Sequence, residues 1–304
     1  MEGPGPVEIL PGLYALDLRP LGIENFLSTY VMVGREALVV DCGPACSIGR
    51  LIEGLEAVGV KPESLRYILA THIHIDHVGG ASELLNWAPD AELLVHERGV
   101  KHMVKPDRLW EGSLKVLGQL AEAYGPIGAV DEDRVAGLRE GDTVELAGGP
   151  VLEVLETPGH ASHHVSFFDG ENRILFPGDS AGIYIAPLDL LLPTTPSPHR
   201  LDLTFSSLDK QSALRPEVAC YPHFWASDRA SELLDAYRRQ LEVWARVIGD
   251  NVEEDEEELL GLLASEDGNI ARVMPFLDAY PLLRGGLLRS IRGIKEFLSS
   301  GGAG

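Results

Sequence analysis

Two patterns of apolar residues divide this chain. Through its first part, short aliphatic and β-branched runs stop at glycine, proline or charged positions, as buried strands do. Residues 27–33 and 37–41, flanking Gly34 and Arg35, predict a hairpin. A helical repeat follows over 48–58, and a short strand over 67–70 leads into a run of histidines. Further strands are predicted over 92–96, 151–156, 165–168, 173–176 and 217–221. Between 99 and 124, Val116, Leu117, Leu120 and Tyr124 stand at turn spacing and predict a packed helical insertion. From 226 onward the pattern is that of long helices, over 233–248, 256–263, 270–277 and 287–298, with no strand. The class is therefore α/β or α+β. We expect a sheet-containing domain over 1–225, a helical C-terminal subdomain over 226–304 and a fraying glycine-rich tail over 299–304.

Composition narrows the possible partners. The 304 residues are 45% hydrophobic, enough for a substantial core. A net charge of -22 repels phosphate backbones and anionic lipid, which argues against nucleic acid and membrane partners and for a small-molecule substrate. No apolar stretch approaches a bilayer span, and the first six residues have no signal-peptide character. Three cysteines, Cys42, Cys46 and Cys220, form no Cys-x-x-Cys pair and read as free thiols of a cytoplasmic protein. The acidic run 253–258 reads as a solvated helix start, and apolar faces on the C-terminal helices suit a homodimer.

The chemistry concentrates after the strand at 67–70. His72 and His74 stand two residues apart and can converge on one ion; Asp76 and His77 follow within a turn and can face a second. Imidazole and carboxylate are the donors that borderline divalent metals take, and burying four such groups unpaired would cost several kcal/mol.

The segment Thr71-His72-Ile73-His74-Ile75-Asp76-His77-Val78-Gly79-Gly80 resembles the signature of the metallo-β-lactamase-fold hydrolases. Thr157-Pro158-Gly159-His160, Phe176-Pro177-Gly178-Asp179, Tyr221-Pro222-His223 and Val39-Val40-Asp41-Cys42-Gly43 resemble that family's other landmarks, in the expected order. The resemblance implies a four-layer αββα sandwich with a helical C-terminal extension. It implies that His72, His74 and His160 hold one divalent ion and that Asp76, His77 and His223 hold the other. Asp179 and a hydroxide would bridge the two, with Asp41 in support. Zinc is the expected metal, with iron and manganese as alternatives. Asp76 is a candidate for orienting the water or passing its proton on. Tyr184, five residues beyond Asp179, is a candidate donor to a developing oxyanion, weighed against a plain core tyrosine. Spacing alone leaves His163 and His164 as rivals to His160; the Thr-Pro-Gly turn favours His160 and makes His164 its buried partner. His96, His102 and His199 read as packing or surface residues, and Cys42 as a small buried one.

Residues 157–179 are most similar to hydroxyacylglutathione hydrolases, the glyoxalase-like members, which also carry C-terminal helices. A dinuclear hydrolase of small thioesters is the expectation. The basic cluster Arg284, Arg289, Arg292 and Lys295 matches no glutathione-binding set and reads as counter-charge to 253–258. The alternatives are a lactonase, a β-lactamase-like amidase, a mononuclear iron persulfide dioxygenase that would leave His77 and His223 idle, and a non-catalytic metal-binding module.

Overall fold

The structure, a computed structural model, describes residues 5–301. Positions 1–4 and 302–304, parts of the start and tail read above, lie outside the described residues. The first sheet opens with four antiparallel strands, β1 (Val7–Leu10), β2 (Leu13–Asp17), β3 (Ser28–Val33) and β4 (Ala37–Val40). It continues with β5 (Leu65–Leu69), β6 (Glu92–His96) and β7 (Val135–Leu138), each parallel to the strand before it. Parallel neighbours need crossovers. Here these are α1 (Ile48–Ala57) after β4, α2 (Ile75–Val78) and α3 (Ala81–Trp87) after β5, and α4 (Glu97–Val104), α5 (Asp107–Leu117) and α6 (Gln119–Tyr124) after β6. The insertion predicted as helical is thus three helices, broken at Pro106 and at Gly118, whose φ is 55°.

The second sheet begins with β8 (Thr143–Glu145), β9 (Val151–Glu156), β10 (Val165–Asp169) and β11 (Ile174–Phe176). A ribbon of β12 (Ile183–Ile185) and β13 (Leu190–Leu192) and the helix α7 (Leu201–Ala213) follow. The chain then returns as β14 (Val218–Tyr221), parallel to β11, and β15 (Trp225–Ser227). Its end is α8 (Ala230–Asp250), α9 (Glu256–Glu266), α10 (Gly268–Val273) and α11 (Pro281–Ser299).

Strand periodicity builds the layers. On β4, Leu38 and Val40 face the second sheet, packing with Val154, Phe167 and Phe176, while Val39 faces outward onto Leu51 and Leu84 of the helices. On the far side, Phe168, Leu175 and Tyr221 share one cluster with Leu208, Leu234, Trp244 and Ile291. The result is the expected αββα sandwich, and the helices after 226 pack on the outer face of the second sheet.

β1, β2, β7, β8, β12 and β13 lie outside the strands that the sequence reading predicted, and two further elements depart from it. β15 is a strand near the boundary from which only helices were expected; at three residues it is too short to show a period. α7 was not anticipated, because the face it buries is partly polar, including Thr204, Ser207 and Gln211. Among the described residues, no helix is long and apolar enough to cross a membrane.

Candidate metal centre

The ligand-type side chains stand where strands end. β4 and β5 run parallel and open at the same edge. Asp41 follows β4 at φ 57°, a left-handed conformation that costs a non-glycine residue about 1 kcal/mol. Three contacts hold it there. Oδ1 accepts the Thr71 backbone N–H at 2.8 Å, and Oδ2 accepts the Thr71 hydroxyl at 2.8 Å and the Nδ1–H of His77 at 3.0 Å. Past β5 the chain carries His72 and an extended His74 into α2, which presents Asp76 and His77. From the second sheet come His160 after β9, Asp179 after β11 and His223 after β14. The Val165 N–H donates to the Thr71 carbonyl at 2.7 Å and joins the two sheets at this edge.

All seven predicted ligands converge. His72, His74 and His160 form one group, His72, His77 and Asp179 a second, and Asp76, His77 and His223 a third, with the donor atoms of each group within 4.8 Å of one another. The Nδ1 of His74 lies 2.9 Å from His72 Nε2 and 3.0 Å from His160 Nε2. Asp179 divides its oxygens. Oδ2 stands 3.6 Å from His160 Nε2, and Oδ1 stands 3.5 Å and 3.9 Å from the Nε2 atoms of His77 and His223.

Hydrogen bonding at the outer nitrogens turns ring lone pairs inward and leaves two of the inward atoms bare. His77 donates through Nδ1 to Asp41, and His160 donates through Nδ1 to the Thr194 carbonyl at 2.9 Å, so the Nε2 of each neutral ring offers a lone pair to the cluster. His77 Nε2 and Asp179 Oδ1 are buried with no hydrogen-bond partner among the described residues. Protons are disfavoured on the rings around them. Burial, then His77 and His74, push His72 well below the ordinary imidazole range, and burial and His160 do the same to His74. At His77 burial is outweighed by Asp179, Asp76 and Asp41, which push it up to about 10; a cation between these groups would replace that proton. Burial also raises Asp76, but His77 and His223 outweigh it and hold the carboxyl well below the usual range. Bare imidazole nitrogens set among carboxylate oxygens fit divalent cations.

The neighbouring histidines divide by their partners. His164 uses both nitrogens: Nε2 accepts the Asp179 backbone N–H at 3.1 Å, and Nδ1 donates to the Thr157 hydroxyl at 2.8 Å. Thr157 and Gln211 then meet on Ser166, so a buried polar network backs Asp179. His163 lies off the triads, its ring centroid 5.7 Å from that of His74. Burial and then His160 push it down to about 4.

Tyr184 is not brought to the cluster. Its hydroxyl donates to Asp189 at 2.9 Å, the carboxylate that Arg229 also holds, and its ring packs on Tyr221. Gly182, at φ 80°, turns the chain between Asp179 and Tyr184. Cys42 is buried, and burial and Asp41 push its thiol up, away from nucleophilic use. His199 is fully inside rather than at the surface, with Nε2 3.1 Å from the Thr204 hydroxyl. Thr194 was missed. Its carbonyl orients His160 and its hydroxyl reaches Asp179 Oδ2 at 3.4 Å, but a threonine before a loop carries no local signal of that task.

Comparison with known proteins agrees with this construction. The archaeal metallo-beta-lactamase fold-containing protein ST1585 from Sulfurisphaera tokodaii is 33% identical over 217 residues, covering 70% of this chain and 78% of that protein. A hydroxyacylglutathione hydrolase from Cupriavidus metallidurans is 28% identical over 233 residues, 73% of this chain and 74% of the relative. Among solved structures, ST1585 superposes with a TM-score of 0.69 at 26% identity, over 94% of this chain and 98% of its own. The metallo-beta-lactamase family protein TTHA1429 from Thermus thermophilus gives a TM-score of 0.71 at 22% identity, covering 97% and 95% of the two chains. The family pattern of the metallo-beta-lactamase superfamily matches residues 24–223, a span that holds both sheets' ligand-bearing strand ends. With that match, and with the histidine and aspartate cluster at its centre, the chain belongs to the metallo-beta-lactamase superfamily and is a metal-dependent hydrolase.

Proposed function

We propose that this chain is a dinuclear hydrolase of small thioesters. The observation that carries the reading is Asp179, whose two oxygens face the two halves of the ligand cluster separately. His72, His74 and His160 would hold one divalent ion, and Asp76, His77 and His223 the other, with zinc as the metal and Asp179 shared between them. Two such ions polarise a carbonyl and lower the pKa of water enough to supply a nucleophile near neutral pH.

The chain's own residues do the rest. Asp41 fixes the His77 tautomer and Thr194 that of His160, so both rings offer Nε2 without reorientation. The Asp76 side chain is 23% exposed against 6% for Asp179, which makes it the carboxylate open to the cleft. It is kept ionised by His77 and His223 and can orient a water or accept its proton. A leaving thiolate, with a pKa of about 8.5, needs little help from an acid. The thioester preference is supported by the hydroxyacylglutathione hydrolase among the relatives. The three free cysteines, with Cys46 exposed, fit the reducing cytoplasm.

The test is hydrolysis of a panel of simple thioesters by the zinc-loaded protein. Chelation should abolish turnover, and Asp76→Ala should lower kcat/KM by about 10²–10⁴. Turnover that survives the chelator, or a protein holding a single iron that is unaffected by His77→Ala and His223→Ala, would overturn the reading.

A further inference from the structure

The loop between β13 and α7 reaches the metal centre on the half that holds His160. The Thr194 carbonyl accepts the Nδ1–H of His160 at 2.9 Å. The Thr194 hydroxyl reaches Asp179 Oδ2 at 3.4 Å, the oxygen that stands 3.6 Å from His160 Nε2. At the loop's far end the Arg200 N–H donates to the Gly159 carbonyl at 3.1 Å, so the residue before His160 is held as well. Gly159 has φ 137°, and an added Cβ would stand 2.8 Å from the Thr204 backbone, so only glycine lets this turn and α7 close on each other.

That loop is in turn gripped by α11. Ser290 Oγ accepts the Thr195 N–H at 3.2 Å and donates to the Pro193 carbonyl at 3.0 Å, while the Thr195 hydroxyl donates to the Ser290 carbonyl at 2.8 Å. These bonds bracket Thr194, and Ser290 and Thr195 are both buried. A serine inside a helix ordinarily turns to solvent or back onto its own helix, whereas Ser290 spends both its donor and its acceptor on the loop. One turn on, an added Cβ at Gly293 would overlap the Thr195 carbonyl oxygen and stand 3.0 Å from the backbone of Pro196 and Ser197. Glycine is unfavourable inside a helix, and here it lets two backbones meet. A further turn along, the Ser197 hydroxyl donates to the Glu296 carboxylate.

The other half of the centre is supported by the first sheet. Asp41 after β4 accepts the Nδ1–H of His77, and Asp41 is itself held by the Thr71 N–H and hydroxyl after β5. The ring of Phe26, from the connection between β2 and β3, lies edge-on to that of His223 with centroids 5.9 Å apart. These contacts involve neither α11 nor the loop that it holds.

We infer, resting on the dinuclear reading above, that Ser290 and Gly293 make α11 a positioning element for the ion held by His72, His74 and His160. The helix fixes the segment 193–197, and Thr194 within it fixes the ring and tautomer of His160. With the Nδ1–H pinned to that carbonyl, Nε2 is the lone pair that faces the cluster. A loop released from α11 lets the ring turn, and the ordering of His160 is then subtracted from metal affinity. The last helix of the chain thus sets how tightly one of the two ions is held, while the ion held by Asp76, His77 and His223 is independent of it.

Each half is read alone by titrating the full chain with zinc against a chromophoric chelator. A His223→Ala background keeps His72, His74 and His160, and a His160→Ala background keeps Asp76, His77 and His223. Ser290→Ala should weaken zinc binding roughly tenfold in the first background and leave it within about twofold in the second, as expected of a group that orients one ligand. Thr195→Val, which removes the hydroxyl and keeps the shape, should weaken the first background by a smaller factor. Ile291→Val trims a buried side chain at the next position of α11 without touching the hydrogen bonds to the loop, and should change neither background. The inference is overturned if Ser290→Ala leaves the first background unchanged, if it weakens both alike, or if Ile291→Val matches it at equal loss of denaturant stability. If Ser290→Ala does not fold, an unchanged first background in Thr195→Val overturns it. A parent protein that takes up a single zinc would sink the dinuclear reading, and the His223→Ala background would still decide this inference.

Discussion

The metal centre is approached from two sides that differ in kind. On the sheet side the polar groups behind the ligands are closed: His77 is tied to Asp41, His160 to Thr194, and the Asp179 N–H to His164. On the helical side α11 is fastened through Ser290 to the loop that carries Thr194, and Arg289 beside it makes no hydrogen bond or ion pair among the described residues. A bond made to the ligand itself fixes its geometry directly, whereas α11 acts through the loop, at one remove. Changes on the sheet side should therefore alter metal content and stability together, and changes in the contacts of α11 should have smaller effects.

The largest expected effect is that of Asp41→Ala. It strips partners from the Thr71 N–H, the Thr71 hydroxyl and His77 together, and it leaves alanine at a left-handed φ. Each buried donor left unsatisfied costs about 1–3 kcal/mol, so the loss should exceed about 3 kcal/mol in chemical denaturation of the metal-free protein. Freed from its tautomer, His77 should also lower metal affinity by roughly 10–100-fold, read by competition with a chromophoric chelator. Unchanged metal affinity would break the division between the two sides.

These two sides were also unequally legible in the sequence. Four ligand-type residues lie within the six positions from His72 to His77, so local pattern marks a metal site there, whereas His160, Asp179 and His223 were indicated only by the resemblance to the family's landmarks at strand ends. β6, an apolar run buried on both faces, and β9, which alternates over its first four residues, were placed at their observed bounds, whereas the three-residue strands β12, β13 and β15 show no period. What local pattern does not carry is the packing of distant segments. Thr195 and Ser290 meet across 95 positions of sequence, and that contact fastens α11 to the loop whose Thr194 orients His160. Tyr184 fails for the converse reason: nearness to Asp179 in sequence is undone by the turn at Gly182.

A smaller effect should separate support from ligation within the sheet side. His164→Phe fills the ring's volume but leaves the Asp179 N–H and the Thr157 hydroxyl without their imidazole partner. Thr157 keeps Ser166, so the main loss falls on one buried N–H. Thermal or denaturant unfolding of the metal-free protein should show a loss of about 1–3 kcal/mol, with both ions still bound at saturating zinc. Loss of an ion at saturating zinc would instead make His164 a ligand and reopen the assignment of His160.

The smallest expected effect tests the helical side. Arg292 stands three residues beyond Arg289 on α11, carries the same charge, and differs in being paired with Glu256 at the surface, its side chain 54% exposed. A surface pair of that kind is worth about 0–1 kcal/mol. Arg292→Ala should therefore shift denaturant unfolding by no more than that and leave zinc content unchanged; a loss above about 1 kcal/mol would show that the pair with Glu256 fastens α11 to α9 instead of only covering its surface.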